Sequence, residues 1–171
     1  MPRASRAVRE HKEHAPTGLR VAVITISDTK DEAKDESGRI LREGVEAAGH
    51  RVVRYTITRD EVDRIRRAIR EAVGGGADAV ITNGGTGIAG RDVTVEAVAP
   101  LLEKTVEGFG DLFRLLSFRT VGSAAMLSRA IAGVHKGVAV FCLPGSPDAV
   151  RLAWEDLIAP ELPHIVGLLR K

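Results

Sequence analysis

Short, nearly unbroken apolar runs alternate along this chain with longer segments of helical spacing. Leu19 to Ile26 (LRVAVITI) is apolar and rich in β-branched residues, the pattern of a strand buried on both faces. From Lys34 to Ala48, the residues Ile40, Leu41, Val45 and Ala48 fall on one side of a predicted helix, and Gly49 stops it. Arg51 to Ile57 predicts a second strand. Asp60 is placed to cap a helix whose buried stripe is Val62, Ile65, Ile69 and Val73, closed by the glycines at 74–76. Ala77 to Thr82 and Gly137 to Leu143 predict two further core strands. Helical spacing recurs over 94–102, 111–118, 123–132, 148–158 and 161–169, with Pro160 and Pro163 bending or separating the last two. Strands alternating with helices of about three turns imply βαβ units and a doubly wound α/β fold in one domain.

Such folds bind ligands beyond the carboxyl ends of their strands, which directs attention to the loops after Ile26, Ile57, Thr82 and Leu143. After the third strand, Gly84, Gly85 and Gly87 bracket Thr86, so backbone amides and a hydroxyl can approach an anion without obstruction. A plain glycine turn is the alternative. The run is neither GxxxxGK[ST] nor GxGxxG, so neither a P-loop nor a dinucleotide fingerprint is present. A carboxylate at Asp92, beside such a nest, would repel a phosphate unless a divalent cation such as Mg²⁺ lay between them. A helix N-cap is the other reading of Asp92, and of Asp60. Ser27 and Asp28, after the first strand, either bind ligand or form a local turn. Pro144-Gly145-Ser146-Pro147 leads into a helix that Ser146 can cap, and its amides offer a second anion site. Phe109, between two glycines, is either a lip facing substrate or a helix start.

Composition narrows the partners. The chain has 171 residues, 44% hydrophobic and with one cysteine, which excludes a disulfide framework, and no apolar run reaches the ~18 residues of a membrane helix. The five histidines show no metal-ligand spacing. The net charge of +2 resides in residues 1–18, a polar segment that reads as a mobile basic tail; the remaining 153 residues carry 21 basic and 21 acidic side chains. A nucleic-acid partner has only that tail behind it, so neither nucleic acid nor membrane is expected. With no apolar leader at the N-terminus, the cytoplasm is the expected compartment.

Taken together, Ser27-Asp28, TNGGTG at 82–87, Arg91-Asp92-Val93-Thr94, Glu107-Gly108-Phe109-Gly110, Ser128-Arg129-Ala130 and LPGSP at 143–147 resemble the MoaB/Mog family of molybdenum cofactor biosynthesis. The resemblance spans about Leu19 to Pro160, and VEGFGDLFRLLSF at 106–118 and AWEDLIAPEL at 153–162 look most like the MoaB branch. Asn83 stands where many relatives carry a hydroxyl residue. The resemblance implies a three-layer α/β/α sandwich with a mostly parallel sheet, over residues 19–171. It implies a homotrimer, or a hexamer of two trimers, with other molybdenum cofactor enzymes as possible partners. It also implies binding of molybdopterin and Mg²⁺-dependent transfer of AMP from ATP to the pterin's terminal phosphate, with pyrophosphate leaving. Carried over by position, Gly84, Gly85, Thr86 and Gly87 would hold phosphate or adenylate. Asp60 and Asp92 match the functional aspartates that act with Mg²⁺. Ser27, Asp28, Pro144, Gly145 and Ser146 match surfaces lining the pocket. The alternative is a non-catalytic molybdopterin-binding or assembly protein of the same pathway.

Overall fold

In the computed structural model, which describes residues 15–171, six strands form one sheet. They are β1 (Arg20–Ile26), β2 (Arg51–Thr58), β3 (Ala79–Asn83), β4 (Lys104–Thr105), β5 (Ile131–His135) and β6 (Val138–Leu143). Their spatial order is β2-β1-β3-β6-β5-β4; β2, β1, β3 and β6 are parallel, β5 runs antiparallel to β6, and β4 pairs antiparallel with β5 at the edge. The expected tail lies outside the described residues as far as residue 14. At its described end, a Cβ on Gly167 would lie 3.2 Å from the Pro16 ring.

Period-two alternation divides the sheet's side chains between two cores. Val21, Val23, Ala79, Ile81, Phe141 and Leu143 point to one face. There they meet helices α1 (Glu36–Ala47), α4 (Glu107–Val121), α5 (Pro147–Leu152) and α6 (Ala159–Leu169). Ala22, Ile24, Val80, Val140 and Cys142 point to the other face, against α2 (Val62–Gly74) and α3 (Thr94–Val98). This is the three-layer sandwich. Because both faces are covered, the central strands are apolar throughout, which is why they stand out in the sequence.

Five expectations need correction. Residues 123–132 are not a helix: a 3₁₀ stretch covers Gly122–Leu127, and β5 begins at Ile131. Asp60 caps nothing; α2 begins at Val62 after Glu61, with no side-chain cap. Asp92 is not a cap either, since Val93 precedes α3. Pro160 and Pro163 do not separate two helices. A π-helical turn at Ala153–Ile158 joins α5 to α6 as one continuous element, with Pro160 in the first turn of α6 and Pro163 inside it. The wide turn sits next to the position where proline removes a donor from the ladder. Phe109 is inside α4 and buried, in ring contact with Phe113 and Phe141, so it is core and not a lip.

Candidate active site

From β1 the chain moves outward to β2, then returns across β1 to β3, so the sheet's switch point lies between β1 and β3. Loops at the carboxyl ends of those two strands open a crevice there. Asn83, fully buried at the end of β3, donates through Nδ2 to Thr25 Oγ1 of β1 at 2.9 Å and ties the crevice floor together.

The loop leaving β3 turns its carbonyls away and leaves its amides free. Gly84 O accepts from Thr94 Oγ1 (2.8 Å) and Gly85 O from Thr94 N (2.9 Å). Thr86 O and Gly87 O accept from Arg129 Nε at 3.2 and 3.0 Å, and Gly87 O also from Arg129 Nη2 at 2.7 Å. Gly84 N is spent on Leu143 O (3.0 Å), but the amides of Gly85, Thr86 and Gly87 meet no acceptor among the described residues. Consecutive unspent amides form a concavity for an anion. Glycine is required: Gly84 and Gly85 have φ of +100° and +67°, and a Cβ on Gly84 would collide with the backbone oxygen of Ile26.

Two carboxylates stand against this nest. A Cβ on Gly85 would lie 2.5 Å from Asp60 Oδ1, and one on Gly87 would lie 2.6 Å from Asp92 Oδ2. Asp92 Oδ2 accepts from Ala89 N at 2.9 Å, which fixes its turn. Asp60 Oδ1 is buried with no hydrogen-bond partner. Burial first, then the charges of Asp28 and Asp92, push the Asp60 carboxyl above its usual range, while Arg91 works in the opposite direction. Asp28 is itself ion-paired with Arg91. An orphaned carboxylate oxygen held near a second carboxylate suits a hard cation, and all the donors are oxygens. Among the described residues no three His, Cys, Asp or Glu side chains are arranged to hold a metal ion.

Next to the nest lies a cleft of about 790 Å³, a size suited to a small-molecule ligand. Gly84 to Gly87, Asp92 and Pro144 to Ser146 form its polar end, and Phe113, Val121, Ala125 and Leu127 give it an apolar wall. Ser146 caps α5 through Ala149 N at 3.3 Å, and Ser37 Oγ donates to Gly145 O at 2.8 Å, which holds the turn rigid. Ser27, Asp28 and Asp60 do not line the cleft. Ser27 Oγ accepts from Thr29 N and Lys30 N, the local-turn reading, whereas Asp28 and Asp60 border the nest from the β1 and β2 loops. Arg129 was visible in sequence only as part of a motif; its role as the carbonyl partner depends on a contact across more than 40 positions.

The segment at 22–164 matches the family model described as "Probable molybdopterin binding domain". The chain belongs to the MoaB/Mog family. Over 167 residues it is 48% identical to molybdenum cofactor biosynthesis protein B of Bacillus subtilis, covering 96% of this chain and 98% of that protein. The Bacillus cereus protein of the same name is 50% identical over 171 residues, covering 96% and 99%. Among solved structures, a molybdenum cofactor biosynthesis protein B superposes with a TM-score of 0.89 at 48% identity, covering 92% of this chain and 99% of that one. MoaB from Pyrococcus furiosus, described as a tungsten cofactor synthesizing protein, gives 0.84 at 39% identity, covering 92% and 100%. The Mog protein from Mycobacterium ulcerans gives 0.81 at 29% identity, covering 88% and 99%. The identities are higher on the MoaB side, and both curated relatives named above are molybdenum cofactor biosynthesis proteins.

Proposed function

We propose that the protein is a molybdopterin adenylyltransferase: it binds molybdopterin and ATP and transfers AMP to the pterin's terminal phosphate. One observation carries the reading. Three unspent amides and the Asp92 carboxylate meet at the polar end of a cleft with an apolar wall, and Asp60, with its orphaned buried oxygen, stands against the same amides from outside the cleft lining. That combination suits a phosphorylated ligand with a flat, poorly hydrated ring.

A terminal phosphate oxygen of molybdopterin attacks the α-phosphorus of ATP, the bond from that phosphorus to the β-phosphate bridge breaks, and pyrophosphate leaves. Phosphoryl-type transfer depends on positioning and charge neutralisation more than on a protein nucleophile, and none is needed here. The amides of Gly85, Thr86 and Gly87 hold the phosphate oxygens where charge develops. Asp60 and Asp92 would hold Mg²⁺, which would supply neutralisation of the phosphates that those carboxylates otherwise repel. Phe113, Val121 and Leu127 offer the pterin ring an apolar wall along one side of the cleft.

The reading extends to a cytoplasmic homo-oligomer, a trimer or a hexamer of two trimers. Its support is an apolar row on α4, Leu112, Leu115, Phe118 and Val121, continued by Met126, which is 78% exposed; monomers seldom leave such a row in water. Purified protein incubated with ATP, Mg²⁺ and molybdopterin should yield adenylylated pterin. Saturable pterin binding without product would place the chain among non-catalytic binding proteins instead.

A further inference from the structure

Arg129 lies behind the glycine loop and outside the cleft walls, yet it makes more contacts with that loop than any other side chain described above. Its Nε donates to Thr86 O and Gly87 O, and its Nη2 donates to Gly87 O at 2.7 Å and to Asp92 O at 3.3 Å. Both terminal nitrogens also engage the Glu96 carboxylate, Nη2 at 3.2 Å. A trans peptide unit is planar, with its C=O and N–H pointing in opposite directions. Pulling Thr86 O backward therefore aims Gly87 N–H forward, into the nest. Holding Asp92 O from the same guanidinium fixes the turn that carries the Asp92 carboxylate.

We propose that Arg129, oriented by Glu96, is the positioning residue of this site, setting the nest amides and the Asp92 turn in one register. Only a guanidinium supplies enough coplanar donors to reach three carbonyls and a carboxylate together. The Arg129 pairing in turn holds the Glu96 carboxyl below its usual range, so the pair stays charged at working pH. The inference rests on the loop being the anion site.

The test is calorimetric titration with MgATP of wild type, R129K, R129A and E96Q, each checked for native circular dichroism. R129K should bind roughly tenfold more weakly or worse, because one ammonium cannot replace the charge-assisted fork. R129A should be weaker still, and added guanidinium ion at non-denaturing concentration should restore much of its affinity where methylammonium does not. E96Q, which leaves the guanidinium in place but unanchored, should lose several-fold and serves if R129A does not fold. Unchanged affinity in R129K and E96Q would overturn the proposal, as would an R129A defect that guanidinium relieves no better than methylammonium. Wild type that binds no MgATP would instead overturn the anion-site reading beneath it.

Discussion

Gly85 and Asp60 are fitted to each other: a β-carbon on Gly85 would lie 2.5 Å from Asp60 Oδ1. The missing side chain lets a carboxylate from the β2 loop stand against amides from the β3 loop. Gly85→Ala has no room here, and its φ of +67° is one that alanine adopts only under strain. The substitution should cost about 1–3 kcal/mol of stability by denaturant unfolding. It should also lower transfer activity by ~10²-fold, since displacing either group by about an ångström misplaces the phosphate.

Asp60→Asn should separate stability from function. Partial burial, then Asp28 and Asp92, raise the Asp60 pKa, so in the window above the ordinary carboxylate pKa the folded state binds more protons than the unfolded state. Stability contributed by this group therefore falls as pH rises through that window. D60N removes the penalty. Thermal melts should show D60N more stable than wild type at pH 7, with the difference closing below about pH 4, where both states of wild-type Asp60 are protonated. Transfer activity should be lost at every pH.

Cys142 should be inert in the folded protein. It is fully buried in β6, and desolvation pushes its thiol up to about 12. A thiol reagent at pH 8 should label it only after denaturant is added; rapid labelling of the native protein would contradict the packing.

Leu115→Glu with Phe118→Glu should break assembly. Both side chains are more than half exposed on α4, opposite the buried Phe109 and Phe113, so the change leaves the subunit core alone. Light scattering should show wild type larger than a monomer and the double variant as a folded monomer.

The parts of this protein that the sequence revealed, and those it hid, have physical causes. β1, β3 and β6 are buried on both faces and read directly as apolar runs. β4 has two residues, both exposed, and carries no signal. β5 follows a run of alanines, Met126 and Leu127 whose composition favours helix; pairing with β6 fixes it as a strand instead. The glycine nest was legible because Gly84, Gly85, Thr86 and Gly87 occupy a strand's carboxyl end. Asp60 reads as a helix cap from its own loop, and the start of α2 after Glu61 together with its unpaired buried oxygen decides against that. Arg129's contacts with residues 86, 87 and 92 join segments far apart in the chain, and no local pattern announces them.

The most direct test of the central claim is molybdopterin-dependent release of pyrophosphate from MgATP, followed for wild type, D60N and D92N. Wild type should release one pyrophosphate per pterin adenylylated. The two variants should fall by at least ~10²-fold, since each removes charge stabilisation at the transferring phosphate. Folded wild-type protein that binds both substrates and releases no pyrophosphate, or variants that match its rate, would contradict the account.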